Sequence, residues 1–443
     1  MTSSSDRLPL KTLLAFALPG FPLAALTVPL YIYLPAFYAD EMGLGLTAVG
    51  GVLLAARLWD VVIDPLVGVL SDRWTTRIGR RRPWLILGTP LALVAVYKLF
   101  LPAPGVGDLY LLVWTVALYV AWTILLLPYY AWAAELSPDY HERARITSFR
   151  ESFVILGTLA AAGLPALHGG RATGAAALAL LAGLMMVALP IAIAVTVTRV
   201  PDRAAAPVAR STAIVAVRWW RPILENRPFR RLIAAYLLNG LGNGLTATLF
   251  TLFAGHVVRV PDKTGLLLFV YFLAGIAAVP FWLKLSHRLG KHRAWAISLM
   301  WSCCWFAWAP ALGPGDLGWY ALISVMTGVG LGADLTLPSA MQADIVDLDT
   351  LGSGARRAGL YFALWTMATK LALAIAVGIA FPLLDRAGFD PARDNAGVAL
   401  TALALLYAAV PVGLKLAATV LVWNYPLDAA THAALRARLE AAR

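Results

Sequence analysis

Polar residues are sparse along this chain and return at nearly regular intervals. Between them run six apolar segments, at about 11–38, 44–71, 83–103, 109–134, 148–167 and 173–198, and then six more, at about 228–256, 264–286, 293–312, 317–342, 358–385 and 397–424. Each is close to or above the ~20 residues with which a helix crosses a bilayer. Lipid offers no partner for free backbone N–H and C=O groups, so each segment is expected to be helical. The predicted fold class is an all-α polytopic membrane protein, with twelve transmembrane helices in two pseudo-symmetric six-helix bundles. The expected boundaries are 1–198 for the N-terminal bundle, 199–227 for a cytoplasmic linker, 228–426 for the C-terminal bundle and 427–443 for a cytoplasmic tail. The halves also echo each other. FWLKLSHRLGKHRAW (281–295), after the eighth segment, resembles the basic loop after the second, as a paired repeat would produce.

Composition agrees with the pattern. Of 443 residues, 60% are hydrophobic and only 14% are charged, against about 25% charged in a soluble domain. A soluble surface cannot be built from so few polar groups. The net charge of +12 would suggest nucleic acid in a soluble chain. Here the positive residues fall in short loops on one side: Arg73 to Arg82, Arg143 and Arg145, the linker, Arg288 to Arg293, and Arg356 with Arg357. The opposite loops, around Asp40, Glu41, Asp108, Asp316 and Arg386–Asp394, are poor in Lys and Arg. The positive-inside rule then places both termini in the cytoplasm, and the expected location is the inner membrane of a bacterium. No small-residue cleavage site precedes the first apolar segment, which reads as a retained span. Cys303 and Cys304 are adjacent within an apolar run, unlike a disulfide framework or a zinc site. No nucleophile elbow, phosphate loop or zinc-protease motif is present, so the chain is read as a non-enzyme. The rival classes are a membrane-embedded enzyme and a non-transporting sensor. The expected partners are the lipid bilayer and a small-molecule or amphiphilic substrate, with no nucleic acid, and the chain is expected to act as a monomer.

The segment RLWDVVIDPLVGVLSDRWTTRIGRRRPW (57–84) holds the most chemistry. Arg57, Asp60 and Asp64 are spaced i, i+3, i+7 and share one helix face. With the cytoplasmic end of the helix near Asp72, Asp64 lies about 12 Å inside and Asp60 about 18 Å, at 1.5 Å per residue. Ionisable groups at such depth are costly and mark ion or substrate paths. Two carboxylates one turn apart can coordinate a cation or share a proton. The plainer alternative is an Arg57–Asp pair that only locks helices together.

Arg57-x-x-Asp60-x-x-x-Asp64-Pro65, followed by the Gly-Arg-Arg-Arg-Pro-Trp loop, resembles the glycoside–pentoside–hexuronide cation symporters (melibiose-permease-like) of the major facilitator superfamily. ADIVDLDTLGSGARRAGLYFALWTMATK (343–370) is similar to that family's connection between the tenth and eleventh helices. The resemblance implies a secondary transporter, with a central cavity worked by alternating access and no cofactor. It implies that Asp60 and Asp64 hold the coupling ion, H+ or Na+, joined by Thr123 of the fourth helix. Ile63 stands where the family often has a polar ligand. A hard cation wants several oxygens, whereas a proton needs one carboxylate, so Ile63 favours H+. Galactoside carriers of the family grip sugar hydroxyls with two acids, and the matching positions here are the apolar Ala24 and Leu126. The family covers lysolipid carriers as well as sugar carriers. A sugar or glycoside is the expected solute, with a lysolipid or other amphiphile as the alternative.

The resemblance and the depth of the residues together nominate a substrate set of Arg57, Arg150, Asn239, Asn243, Asp334, Tyr361, Trp365 and Lys370. Lys370 lies about 20 Å beyond the cytoplasmic start of its helix and could instead be a structural cation. Asp334 could pair with it. Asn239 and Asn243 are i, i+4, and interhelical hydrogen bonding is their commoner role. Trp59, Trp122, Tyr129, Tyr130 and Trp132 are further stacking candidates. A gating set of Asp72, Arg73, Arg80, Glu135, Asp344 and Asp347 is expected to form charge networks at the cytoplasmic helix ends.

Overall fold

Prolines set the shape of the first span. The structure, a computed structural model, describes residues 7–74, 76–137, 140–167, 174–202, 226–353 and 358–426. Helix α1 (Leu10–Ala39) is broken into Leu10–Ala17, Gly20–Ala25, a π-turn at Pro29–Tyr33 and Leu34–Ala39. Pro19, Pro22, Pro29 and Pro35 each remove an N–H from the helical ladder. The Thr27 hydroxyl donates to the carbonyl of Ala24 within this broken stretch. Next come α2 (Leu46–Arg73), α3 (Arg82–Phe100), α4 (Asp108–Glu135), α5 (Tyr140–Leu167) and α6 (Gly174–Arg199).

The second half repeats the scheme. Helix α7 (Arg227–Leu252) runs into a π-turn at Phe253–Val257. It is followed by α8 (Thr264–Leu289) and α9 (Lys291–Phe306). Helix α10 is in two pieces, Leu317–Asp334 and Leu337–Ser353, and then come α11 (Ala358–Arg386) and α12, which spans Val398–Trp423. Pro338 explains the break in α10. Its missing N–H would have bonded the carbonyl of Asp334, and its ring crowds that carbonyl.

Among the described residues, ten helices are long and apolar enough to cross a membrane. The other two expected spans, α5 and α9, are helical as well. The first three turns of α5 include Glu142, Arg145, Arg150 and Glu151, and α9 has only 16 residues. The element order contains no strand, and the described residues add only an isolated bridge between Thr76 and Gly79. Helices α1–α6 form one compact unit and α7–α12 another.

Packing within the two units follows one rule. In the first, α2 packs on α4, α3 on α4, α1 on α5 and α3 on α6; in the second, α8 packs on α10, α9 on α10, α7 on α11 and α9 on α12. Adding six to each helix number converts one set into the other, so the bundles are pseudo-symmetric. One of the close approaches that fix this packing is between α8 and α10. A Cβ at Gly332 would lie 2.5 Å from the carbonyl oxygen of Gly275, so only glycine lets these backbones meet. Small residues at such contacts are the usual device for packing helices in lipid. The expected linker falls mostly, and the expected tail entirely, outside the described residues.

Candidate functional site

In the N-terminal bundle, α2 and α4 bring Arg57, Asp60, Asp64 and Thr123 together. One guanidinium N–H of Arg57 donates to Asp60 at 3.0 Å. Another donates to the hydroxyl of Tyr31, at the π-turn of α1. The guanidinium also lies over the rings of Tyr119 at 4.1 Å and Tyr31 at 4.8 Å. Such a site replaces lost hydration with ring faces, worth ~0.5–2 kcal/mol per contact. Asp60 is 2% exposed, Thr123 4% and Arg57 6%, and Asp64 is half-buried.

The Thr123 hydroxyl oxygen lies 2.8 Å from Asp64 Oδ1 and 3.2 Å from Asp60 Oδ1. A hydroxyl has one proton and can donate it to only one carboxylate at a time. The hydroxyl and one oxygen of each carboxylate therefore converge within hydrogen-bond distance. Arg57 carries one positive charge, and Asp60 and Asp64 two negative ones, so one added monovalent cation would bring these three charges to zero. Ile63, the next residue round α2, supplies no oxygen.

A second buried polar cluster occupies the C-terminal bundle. Asp334, at the break in α10, accepts from Trp295 Nε1 of α9 at 2.6 Å. It also accepts from the amides of Asn239 at 3.0 Å and Asn243 at 3.3 Å on α7. Those two asparagines turn their carbonyl oxygens to Lys415 Nζ of α12, at 2.6 and 2.7 Å. Lys415 Nζ is 3.9 Å from Asp334 Oδ2. The acid therefore pairs with Lys415, and not with Lys370 as the sequence had suggested. Lys415 and Trp295 were absent from the expected set. A signal for Lys415 was available: it is a lone charge in the middle of the twelfth apolar segment, by the same depth criterion that singled out Asp60 and Asp64.

The remaining expected residues are dispersed. Arg150 on α5 pairs with Glu151 at 2.6 Å and lies over the Tyr130 ring at 4.2 Å. Trp365 on α11 stacks on Tyr236 of α7 with centroids 3.7 Å apart. Lys370 is half-buried further along α11. Tyr361 is fully buried, edge-on to Phe229, and its hydroxyl accepts from Asn226. Its surroundings are those of a core residue. Tyr129 and Trp132 are likewise packed, both against Phe16. Ala24 is buried, while Leu126 is half-buried.

The loop charges pair within each half. Glu135, at the end of α4, accepts from Arg81 at 2.5 Å and lies 3.5 Å from Arg80. Asp202 accepts from the backbone N–H groups of Arg81 and Arg82. In the second half Asp344 of α10 accepts from Lys291, at the start of α9, at 2.7 Å. This is the same pairing, six helices on. The side chains of Asp72, Arg73 and Asp347 lie outside the described residues.

A family model described as MFS/sugar transport protein matches residues 15–429. An uncharacterised symporter of Synechocystis is 25% identical over 99% of this chain and 98% of its own length. The sodium-dependent lysophosphatidylcholine symporter 1 of Gallus gallus is 24% identical over 96% of this chain and 88% of its own. Among solved structures, the nucleoside transporter NupG superimposes with a TM-score of 0.70, covering 94% of this chain and all of that one, at 12% identity. The chain belongs to the MFS/sugar transport protein family of the major facilitator superfamily: it is an integral membrane transporter of the symporter type.

Proposed function

From that membership, we propose that the protein couples inward movement of a cation at Asp60, Asp64 and Thr123 to transport of a phosphate-bearing amphiphile of the lysophospholipid class. The observation that carries the coupling is the convergence of three oxygens on α2 and α4 beside a single guanidinium. A cation entering there binds two carboxylates that otherwise repel each other. Alternating access would then expose the substrate first to one side of the membrane and then to the other. The proposed ion is Na+, supported by the sodium dependence stated for the lysophosphatidylcholine symporter. Proton coupling is the second reading, favoured by the missing ligand at Ile63.

The substrate class rests on chemistry as well as on that relative. Ala24 and Leu126 cannot hydrogen-bond a sugar. Each hydroxyl left desolvated costs about 1–3 kcal/mol. Three would cost on the order of 3–9 kcal/mol, comparable with the ~4 kcal/mol that a millimolar affinity represents. An acyl chain loses nothing against such walls. Arg150, paired here with the exposed Glu151, supplies a planar donor pair for a phosphate that displaces that carboxylate. Lys370 is proposed as a second cation for the head group. Calorimetry on the purified protein tests the substrate class. Lysophosphatidylcholine should bind, and Arg150→Ala should weaken it at least tenfold. Micromolar melibiose binding that survives both Arg150→Ala and Asp334→Ala would defeat the reading.

A further inference from the structure

The first turn of α7 presents Arg227, Arg230 and Arg231 at i, i+3 and i+4, which places them on one side of the helix. Between this turn and the end of α12 lies a cavity of about 650 Å³. The three arginines line one part of it, and Pro228, Ala234 and Leu421 form an apolar wall. Its frame is fixed. Tyr425 donates its hydroxyl proton to the Pro228 carbonyl at 3.1 Å, and Arg231 donates to the Asn424 carbonyl at 2.8 Å. Phe229, Leu232 and Val422 are fully buried behind it. Arg227 and Arg230 are exposed. Among the described residues none of the three arginines has an ion pair with a carboxylate. Trp423, 42% exposed, closes the span two residues after Leu421, where amphipathic rings mark the water–lipid boundary.

We propose that this cavity binds the phosphodiester head group of an anionic phospholipid from the surrounding leaflet. Charge complementarity selects the occupant: three positive side chains without a carboxylate partner face one negative phosphodiester. The apolar wall of Pro228, Ala234 and Leu421 takes the first methylenes of the acyl chains. A volume of this size lies within the ~300–1,000 Å³ of small-ligand sites. The leaflet is the cytoplasmic one if the positive-inside orientation holds, and basic pockets on that side are the expected place for such head groups. The site involves none of the residues assigned to coupling or substrate.

The test is native mass spectrometry of the full-length protein with phosphatidylglycerol and phosphatidylcholine at equal concentration. Phosphatidylglycerol adducts should dominate in the parent. The preference should fall about fivefold for each of Arg227→Gln and Arg230→Gln, while transport continues. In the parent alone, raising the salt from 0.1 M toward 1 M, which shortens the screening length from ~10 to ~3 Å, should erode the same preference. Inorganic phosphate should not compete at millimolar concentration, because it lacks the acyl chains. Equal adducts of both lipids in the parent, an unchanged preference in the double variant, or displacement by millimolar inorganic phosphate would each overturn the proposal.

Discussion

Lys415 and Asp334 show what a buried charge demands in lipid. Each is about one-tenth exposed at its side chain. Each is hydrogen-bonded, through Asn239 and Asn243, to groups that satisfy its remaining donors or acceptors. Removing one partner strands the other, at a cost of about 3–5 kcal/mol, whereas neutralising both together is often nearly harmless. Lys415→Met should therefore lower thermal stability sharply, and adding Asp334→Asn should restore most of it. A double variant no more stable than Lys415→Met would show that the pair is not the source of the loss. The depth rule that finds Asp60 and Asp64 applies equally to Lys415. Trp295 was not legible in that way. Its role depends on the break at Pro338 placing Asp334 opposite α9, which is a tertiary fact. Thr123 was found only through family resemblance, because a lone Thr in a span has no periodicity to betray it.

At the scale of elements, hydropathy located nine of the twelve helices to within about three residues, since the bilayer imposes both length and helicity; α5 starts earlier than expected, α9 ends earlier and α10 runs on to Ser353. What it could not locate were the interruptions. The π-turns at Pro29–Tyr33 and Phe253–Val257 depend on how local sequence and neighbouring helices satisfy the freed backbone groups. The α8–α10 contact was partly legible, because GVGLGAD (328–334) reads as a close-packing stripe. Its partner glycine, Gly275, was not. Gly332→Val would drive a branched side chain into the α8 backbone. Overpacking of this kind costs ~1–3 kcal/mol, so thermal unfolding of the purified variant should begin several degrees below the parent. Gly183, with no neighbour near its hypothetical Cβ, is the control: Gly183→Ala should leave the unfolding temperature unchanged or slightly raised.

For the whole molecule, the repeat of packing rules and of the Arg81–Glu135 and Lys291–Asp344 pairs gives two bundles of one design with different polar interiors. One interior has two carboxylates for one guanidinium; the other pairs one carboxylate with one ammonium. This difference supports the proposed placing of the coupling ion in the first. Orientation follows from the loop charges. A Cys placed at Ala205, in a background lacking Cys303 and Cys304, should resist an impermeant reagent in intact cells and label after permeabilisation; strong labelling from outside would invert the topology. The coupling itself is measured most directly in proteoliposomes, as accumulation of labelled lysophosphatidylcholine under an imposed Na+ gradient, with a pH gradient run in parallel. The parent should concentrate substrate under one of these gradients. Asp60→Asn and Asp64→Asn should abolish accumulation while leaving substrate exchange, because an amide keeps the shape and loses the charge that a cation requires. If both variants concentrate substrate as well as the parent, Asp60 and Asp64 are structural and the coupling assigned to them is wrong.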